Sequence, residues 1–412
     1  MKKPYDNVAS MFTQFSALYG ESTVEQQNRY SDLFTWFKDS FSENQAYFVS
    51  SSGRVEVCGN HTDHNGGKVV SCAISLDTLA AFLPTNDGVV CIKSQGYDDI
   101  KVDLSAQPTE KIGTSAALVR GVCVALKSKG YNVGGFKACM VSNVFGGAGI
   151  SSSASFEVLV AEVLNFLYND GKITEEEKAK FAQFSEREYF GKPCGLLDQT
   201  AIAFGGLKLL DFSNKEKISV TAIDNTLSEY TLVLINTGGS HADLTNEYAA
   251  IPAEMREVAA LFGKERLVDV GKDEFYNRLP QIYGLVSDRA ILRTIHFFDE
   301  NQRVDTLKDA LDNADYAKFL GCVNESGRSS LVNLQNCCVA GSKDQAIPKA
   351  IAVSSKYLGE GACRVHGGGF AGSILCIVKN DQIESFLNNM RRYYQESFVL
   401  PLKVRSVGTI VL

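Results

Sequence analysis

The stretch from Val144 to Glu157 constrains the fold more than any other part of this chain. It reads Val-Phe-Gly-Gly-Ala-Gly-Ile-Ser-Ser-Ser-Ala-Ser-Phe-Glu and lies between a strand-like run, Phe136–Ser142, and a helical pattern over Ser155–Tyr168. Glycines let a backbone approach a ligand closely, and the free N–H groups at a helix N-terminus favour an anion. The pattern therefore predicts a strand, a loop and a helix that together hold a phosphate group.

The glycines and serines of this loop are the candidates for nucleotide binding. One serine after one glycine would be an ordinary helix cap, but four serines in five residues after a glycine cluster favour phosphate binding. A hydroxyl there can also reach a phosphate-bound Mg²⁺. It is not a Walker loop, because GxxxxGK[ST] does not occur in the sequence. The candidates are Gly146, Gly147, Gly149, Ser151, Ser152, Ser153 and Ser155.

A second glycine-rich segment, Gly367–Gly372, formally matches the dinucleotide pattern GxGxxG. That fingerprint needs a strand before it and a helix after it. Here an apparent strand, Ser373–Val378, follows the glycines, so the sequence predicts no dinucleotide site. We interpret the segment as a place of close backbone packing beside the nucleotide loop.

Hydrophobic periodicity predicts an alternation of strands and helices along the rest of the chain. Helices are expected over most of residues 1–45, over Ala116–Lys129, from Thr174 to about Tyr189, over most of 251–355, and over Ile383–Phe398. Thr174 and Glu177 have the spacing of a capping box. The further expected strands are Ala46–Ser50, Gly67–Ser71, Leu79–Leu83, Val89–Ser94, Leu207–Phe212, Tyr230–Asn236 and Leu402–Val411.

Length and composition bound the class of protein. A chain of 412 residues is too long for one ordinary core and predicts two domains, which we place at residues 1–213 and 214–412. A net charge of −7 argues against a nucleic-acid or anionic-membrane partner. No apolar run reaches the roughly 18 residues of a membrane span. Eleven cysteines without CxxC spacing, and no signal peptide, fit reduced thiols in a cytoplasm.

The segment Gly53–Gly67 carries the densest set of hydrogen-bonding groups. It reads Gly-Arg-Val-Glu-Val-Cys-Gly-Asn-His-Thr-Asp-His-Asn-Gly-Gly, so a cation, two acids and two imidazoles lie between glycines. It directly follows the strand-like run Ala46–Val49. Such a concentration of polar groups at the end of a strand is typical of a polyol-binding site rather than of a core element.

Two further carboxylates are candidates for chemistry. Asp198 lies at a turn that Pro193 and Gly195 make rigid, and Glu186 lies near the end of the third expected helix. Alone, such an aspartate would more often cap a helix, and such a glutamate would be a solvated helix charge. Their significance therefore depends on the other motifs.

Together these stretches resemble the galactokinase, homoserine kinase, mevalonate kinase and phosphomevalonate kinase (GHMP) superfamily. Gly53–Gly67 looks like the galactokinase signature, and Gly146–Ser155 resembles the superfamily's nucleotide motif. Pro193–Gln199 is similar to its catalytic-aspartate segment, and Gly367–Gly372 to its third motif. The four stretches occur in family order and at family-like spacing over almost the whole chain.

The resemblance implies a two-domain α/β (α+β) GHMP kinase fold with the active site in the cleft between the domains. Arg54 and Asp198 would be the catalytic pair. Glu186 and one of Ser151–Ser153, for which we take Ser152, would hold Mg²⁺. The implied reaction moves the γ-phosphoryl group of ATP to the anomeric hydroxyl of galactose. The implied sugar-binding residues are Asn60, His61, Asp63, Gly195 and Tyr248. We expect a cytoplasmic monomer or weak dimer.

Three positions depart from the galactokinase signature. Asn60 stands where galactokinases typically carry the Glu that contacts the C6 hydroxyl, His64 where they carry Tyr, and Glu56 where they carry Asn. The exchange of 56 and 60 looks reciprocal. Four extended residues span about 13 Å, so Glu56 cannot replace the lost carboxylate unless the backbone turns sharply at Gly59. The aromatic that often faces adenine, expected near Ser115, is also absent.

These departures leave alternatives beside galactose. A galacturonate or another C6-modified sugar would suit Asn60, because two carboxylates about 4 Å apart repel by about 4 kcal/mol at an effective dielectric of about 20. His64 also resembles galacturonate-kinase relatives, but the sequence offers no dedicated cation for a C6 carboxylate. A silent sugar- and ATP-sensing homologue would typically carry a damaged serine loop, whereas Ser151–Ser155 is complete. A kinase for a non-sugar alcohol is disfavoured by Gly53–Gly67.

Overall fold

The structure, a computed structural model, describes residues 2–20, 23–147, 149–224, 227–239 and 244–412. It has the predicted mixed α/β architecture, with two β-sheets among the described residues and helices packed around them. The expected α/β fold class is therefore confirmed. No helix in the described ranges combines the length and the apolar character needed to cross a membrane.

The first sheet has eight strands in the order β12-β1-β2-β5-β3-β4, with β6 also paired to β2 and β7 to β6. All pairs are antiparallel except β3 with β5. The strands are β1 (Tyr47–Cys58), β2 (Lys68–Pro84), β3 (Val89–Ser94), β4 (Ile100–Asp103), β5 (Phe136–Ser142), β6 (Leu207–Asp211), β7 (Ser219–Ala222) and β12 (Ile410–Val411).

The second sheet has four antiparallel strands in the order β11-β8-β10-β9. They are β8 (Tyr230–Asn236), β9 (Ala362–His366), β10 (Ser373–Lys379) and β11 (Val399–Leu402). Because β9 and β10 are adjacent strands, the glycine segment 367–372 is the connection between them. The predicted strand after these glycines is confirmed, so a strand stands where a dinucleotide fingerprint needs a helix.

The α-helices occupy both halves of the chain. The predicted capping box is present at the start of α5, where Thr174 and Glu177 exchange hydrogen bonds. The last helix ends at Met390, which is earlier than predicted. The helices are α1 (Phe15–Tyr19), α2 (Val24–Phe41), α3 (Ser115–Ser128), α4 (Ser152–Tyr168), α5 (Glu175–Ser185), α6 (Leu197–Phe204), α7 (Thr245–Leu261), α8 (Lys272–Ile282), α9 (Asp288–Asp312), α10 (Tyr316–Ser329), α11 (Ala346–Ser354) and α12 (Ile383–Met390).

Strands β1 and β2 differ from the prediction in length. The two short strands expected at 67–71 and 79–83 are parts of one strand, β2, which changes partner midway: its first half pairs with β6 and its second half with β5. Strand β1 pairs along both halves and continues to Cys58. The polar signature therefore begins inside a strand, so the side chains of Arg54 and Glu56 are aimed by the sheet.

One hydrophobic cluster joins the two sheets. It combines Val55 and Val70 of the first sheet with Leu234 and Leu375 of the second, and Phe319 of α10 packs into it. The first sheet also contains β7 and β12, which lie beyond residue 213. The boundary at 213 and 214 stays a prediction. The shared cluster holds β1 and its signature against the second sheet.

Candidate active site

Four segments that are far apart in the sequence meet at one place. The stretch 144–157 is called the glycine-serine loop below. The backbone N–H of Arg54 in β1 donates to the carbonyl of Ile150 in this loop, at 3.3 Å. The loop after β1 also contacts the turn before α6 and the connection between β9 and β10. All four predicted motifs therefore line one site between the two sheets.

Arg54 and Asp198 form an ion pair at the centre of this site. The Nε and Nη2 atoms of Arg54 lie 2.8 and 2.6 Å from Oδ1 of Asp198. The hydroxyl of Ser151 donates to Oδ2 of Asp198, and Nη1 of Arg54 donates to the carbonyl of Gly149. Burial alone would raise the pKa of Asp198, but the charges of Arg54 and Lys192 hold it below its ordinary value. Asp198 is therefore ionised at neutral pH.

Glu186 lies beside this pair, at the start of a π-helical turn that follows α5. Its Oε1 accepts from the hydroxyl of Ser153 and the ammonium group of Lys192, both at 2.7 Å, and its Oε2 accepts from Nε2 of Gln199 at 2.7 Å. Ser153 is thus the serine whose hydroxyl reaches Glu186. Ser152, the predicted metal ligand, faces Gly146 instead, where a Cβ would lie 4.0 Å from the Ser152 hydroxyl.

The oxygen-donor set around Glu186 suits a hard cation only in the presence of phosphate. In the described part of the chain, no group of three or more His, Cys, Asp or Glu side chains is arranged to hold a metal ion. Mg²⁺ is commonly held by one or two carboxylates together with substrate phosphates. One buried carboxylate, a serine hydroxyl and a neighbouring phosphate loop fit that pattern.

The signature loop turns sharply at Gly59. This glycine has φ +105°, and a Cβ there would lie 2.5 Å from the carbonyl oxygen of Lys68. The turn brings Nδ2 of Asn60 to 3.0 Å from Oε1 of Glu56. Without a sharp turn here, Glu56 would lie too far from position 60 to replace a missing acid there. The structure has that turn, so the reciprocal exchange concerns two side chains in direct contact.

Glu56 and Asn60 are both committed to buried partners. The carboxylate of Glu56 pairs with Nη2 of Arg364 at 2.8 Å, and these two side chains are almost completely buried. Asn60 donates to the carbonyl of Gly367 at 2.9 Å and accepts from Nδ2 of Asn336 at 2.8 Å. Its exposed fraction is 0%. In this structure Asn60 joins the signature to the second sheet, and sugar contact by Asn60 stays a prediction.

The two imidazoles of the signature are neutral. Nε2 of His61 donates to the carbonyl of Gly368 at 2.9 Å, and its Nδ1 lies 3.3 Å from Nε2 of His64. Burial is the main cause that lowers the pKa of His61 to about 4, and burial also lowers the pKa of His64. At neutral pH this pair therefore offers hydrogen-bonding groups without charge.

The other predicted sugar-binding residues also lie around the site. Asp63 accepts hydrogen bonds from the backbone N–H groups of Leu196 and Leu197, at 3.0 and 3.2 Å. A Cβ at Gly195 would lie only 1.8 Å from Oδ2 of Asp63, so this position requires glycine. The hydroxyl of Tyr248 donates to the carbonyl of Gly369 at 3.1 Å. These placements are compatible with sugar binding, which stays a prediction for each residue.

Glu300 is an important residue that sequence reasoning missed. It lies on α9, and its Oε1 accepts from the backbone N–H groups of Gly59 and Asn60 at 2.9 and 3.3 Å. On the same helix, Nε2 of His296 donates to the carbonyl of Asn60 at 2.9 Å. In the sequence, Glu300 was marked only by a helical pattern in which an acid and a histidine stand four residues apart. This helix holds the Gly59 turn in place.

Glu300 makes the protein sensitive to acid. Burial would raise its pKa, but His296, Arg303 and Arg364 outweigh burial and lower the pKa of Glu300 from 4.5 to about 2. A folded-state pKa below the unfolded value gives stability that is complete above pH 4.5 and is lost as the pH falls toward 2. We expect the free energy of unfolding, measured with urea, to fall more steeply over this range than in Glu300→Gln. Parallel curves for the two proteins would contradict this assignment.

Comparisons with known proteins agree with this geometry. Residues 35–84 match the family model of the galactokinase galactose-binding signature, and residues 112–206 match that of the GHMP kinases N-terminal domain. The galactokinase of Clostridium tetani is 28% identical over 371 residues, which are 89% of this chain and 92% of that protein. The galactokinase of Limosilactobacillus fermentum is 29% identical over 375 residues, or 89% of this chain and 94% of that protein.

Solved structures show the same relationship. Lactococcus lactis galactokinase, in complex with galactose, matches with a TM-score of 0.81 and 25% identity, over 93% of this chain and 99% of that one. A mevalonate kinase matches with a TM-score of 0.61 at 14% identity, over 87% of this chain and 98% of that one, which concerns the fold alone. The fold and the four convergent motifs define a GHMP kinase. Within that superfamily, the chain is similar to galactokinases in its signature and over most of its length.

Proposed function

We propose that this protein is an ATP-dependent sugar 1-kinase that converts galactose and ATP to galactose 1-phosphate and ADP. The observation that carries the proposal is the Arg54–Asp198 ion pair, which lies between the glycine-serine loop and the galactose-binding signature. Phosphoryl transfer depends on positioning and charge stabilisation more than on covalent help from the protein. A buried, ionised acid beside an arginine meets both needs at the junction of a phosphate loop and a polyol site.

In the proposed reaction the anomeric oxygen of galactose attacks the γ-phosphorus of ATP. The bond from that phosphorus to the β,γ-bridging oxygen breaks, and ADP leaves with the bond's electron pair. Asp198 accepts the hydrogen bond of the anomeric hydroxyl and receives its proton as the new P–O bond forms. Arg54 keeps Asp198 ionised and offers donors to the migrating group. The N–H groups at the start of α4 bind the phosphate chain.

We propose that Mg²⁺ accompanies ATP and is held by Glu186 with Ser153. The support is the buried carboxylate, its contact with the Ser153 hydroxyl, and their place beside the loop at the start of α4. When bound, Mg²⁺ would neutralise charge on the β- and γ-phosphates. Lys192 now contacts the Glu186 oxygen that faces Ser153 and would move toward the phosphates.

We propose that Asp63, His61, Gly195 and Tyr248 form the sugar side of the site, beside Asp198. Galacturonate is not favoured, because Arg364, a cation in contact with this region, is committed to Glu56, and because His61 and His64 are neutral. A silent sensor is not favoured either, since the serine loop and the ion pair are intact. The absence of a disulfide among the eleven cysteines supports a cytoplasmic location, and we expect a monomer or weak dimer.

The test is ATP consumption by the purified protein with galactose, galacturonate, N-acetylgalactosamine, L-arabinose and glucose. We expect turnover with galactose well above the rate without sugar, and little with galacturonate. A rate that no sugar raises above that background would remove the kinase proposal. Turnover with galacturonate but not with galactose would show that the exchange at positions 56 and 60 had changed the substrate.

A further inference from the structure

His366 is a buried histidine that the mechanism above does not use. It is the last residue of β9, directly before the glycine segment 367–372, and its exposed fraction is 1%. The backbone N–H of Glu56 donates to Nε2 of His366 at 3.1 Å. Because Nε2 accepts this hydrogen bond, a neutral ring carries its proton on Nδ1. The contact with β1 therefore fixes the tautomer.

The ring stays neutral under working conditions. Burial lowers the pKa of His366 well below its ordinary value, and the nearby charges of Arg54 and Arg364 lower it further. Its Nδ1 is buried and has no hydrogen-bond partner within the described ranges. A buried donor without a partner is unfavourable and is rare in folded proteins. Such a donor beside an active site indicates a group that arrives with the substrate.

The position of Nδ1 identifies that group. A Cβ built on Gly149 would lie 3.5 Å from Nδ1 of His366, so this nitrogen faces the glycine-serine loop. The carbonyl of the same glycine accepts from Nη1 of Arg54, whose other nitrogens hold Asp198. Nδ1 thus lies at the reacting end of the phosphate loop. Ser373, the partner of His366 in the β9–β10 register, also faces Gly149, with its hydroxyl 3.9 Å from the Cβ position.

We propose that His366 is a further catalytic residue, whose Nδ1–H donates a hydrogen bond to a γ-phosphoryl oxygen of ATP during transfer. This inference rests on the proposed kinase function. The histidine gives up no proton: the P–O bond to the sugar forms, the bond to the bridging oxygen breaks, and the sugar's proton goes to Asp198. A neutral donor that is fixed before the reaction stabilises charge on the migrating group without reorganisation.

A purely structural role is the competing explanation, because the contact with Glu56 could itself be the purpose of His366. Two substitutions separate the roles. Glutamine places an amide oxygen near the Nε2 position, so His366→Gln keeps an acceptor for the Glu56 N–H and removes the donor at Nδ1. Asparagine places an amide nitrogen near the Nδ1 position, so His366→Asn keeps that donor and removes the acceptor.

The experiment measures kcat, the KM for ATP and the melting temperature of both variants. We expect His366→Gln to keep the melting temperature and lose about 100-fold in kcat, with the KM for ATP changed less than about threefold. His366→Asn should melt at a lower temperature and keep kcat within about tenfold of the wild type. A kcat that is lower in His366→Asn than in His366→Gln would overturn the proposal. A fully active His366→Gln would also overturn it, and this result counts even if His366→Asn does not fold.

The two proposals can fail separately. A wild-type protein that turns over no sugar would remove the kinase function. The His366 assignment would then be judged by binding of a non-hydrolysable ATP analogue and of ADP to the wild type and to His366→Gln. A loss of affinity for the analogue but not for ADP would support a contact with the γ-phosphate. Equal changes for both nucleotides would overturn that contact.

Discussion

Replacing Asp198 with asparagine is expected to lower kcat by about 1000-fold or more and to change the affinity for ATP by less than about threefold. The substitution keeps the size of the side chain and removes its charge. The anomeric hydroxyl then loses its anionic acceptor, and Arg54 loses the partner that lies 2.6 Å away. The measurements are steady-state ATP consumption with galactose and calorimetric titration with a non-hydrolysable ATP analogue.

Controls must separate catalysis from folding, because Arg54 is 5% exposed and would remain buried without its anion. The melting temperature of Asp198→Asn should be measured with and without nucleotide. Ser151→Ala is a graded control, since it removes one hydrogen bond from Asp198 and leaves the carboxylate paired with Arg54. We expect a loss in kcat of about tenfold there. An Asp198→Asn protein that keeps a tenth of the wild-type rate would exclude Asp198 from the chemical step.

The pKa of Asp198 also indicates how this residue would contribute to the proposed phosphoryl transfer. An efficient general base has a pKa near the working pH, whereas Arg54 and Lys192 hold the pKa of Asp198 below its ordinary value. Such a carboxylate is ionised before the reaction and is a weak base. In a loose phosphoryl-transfer transition state the hydroxyl proton can leave late. In the proposed reaction, the lowered pKa therefore favours orientation and charge placement as the main contributions of Asp198.

The parts of the site that the sequence predicted are those with local signatures. Three glycines before a run of serines indicate a loop followed by the start of a helix, independently of the rest of the chain. The rigid turn before Asp198 is likewise encoded by neighbours, and a side chain at Gly195 would collide with Asp63. Each such motif carries its own chemistry. That is why the motifs could be identified before their convergence was known.

The parts that escaped prediction depend on contacts between distant residues. Glu300 binds backbone N–H groups more than 200 positions away, and Arg364 binds Glu56 across 308 positions. Neither contact leaves a pattern in the sequence around it. The strand β2 escaped for a related reason, because Ser75, Asp77 and Thr78 separate its two apolar runs and only its pairing with β1 shows that it continues. These features depend on pairing between distant residues, which hydrophobic periodicity along the chain does not predict.

A double-mutant cycle on Glu56 and Asn60 is expected to show strong coupling between the two side chains in the free energy of unfolding. Asn60→Glu alone places a second carboxylate against Glu56, where the side chains are now 3.0 Å apart. Two carboxylates about 4 Å apart repel by about 4 kcal/mol at an effective dielectric of about 20. Glu56→Asn alone leaves Arg364, which is 0% exposed, without the carboxylate that pairs with it at 2.8 Å, and we expect a loss of about 3–5 kcal/mol in the free energy of unfolding.

The double variant, Glu56→Asn with Asn60→Glu, returns one carboxylate to the neighbourhood of Arg364. We therefore expect it to be more stable than the sum of the single changes predicts, by at least about 2 kcal/mol in urea unfolding at pH 7. Asn60→Gln is the matched control, because it adds the same methylene group as glutamate without the charge. Additivity within about 0.5 kcal/mol would show that the two side chains are not coupled.

The same cycle tests whether position 60 acts on the sugar. In the double variant the carboxylate stands where galactokinases typically direct it to the C6 hydroxyl, so the KM for galactose should fall by about tenfold, the effect of one charge-assisted hydrogen bond. Asn60→Gln should give no such gain. A KM that is unchanged in a double variant of wild-type stability would mean that position 60 serves only to join the signature to the second sheet. Recognition of the sugar would then depend on Asp63, His61 and their neighbours.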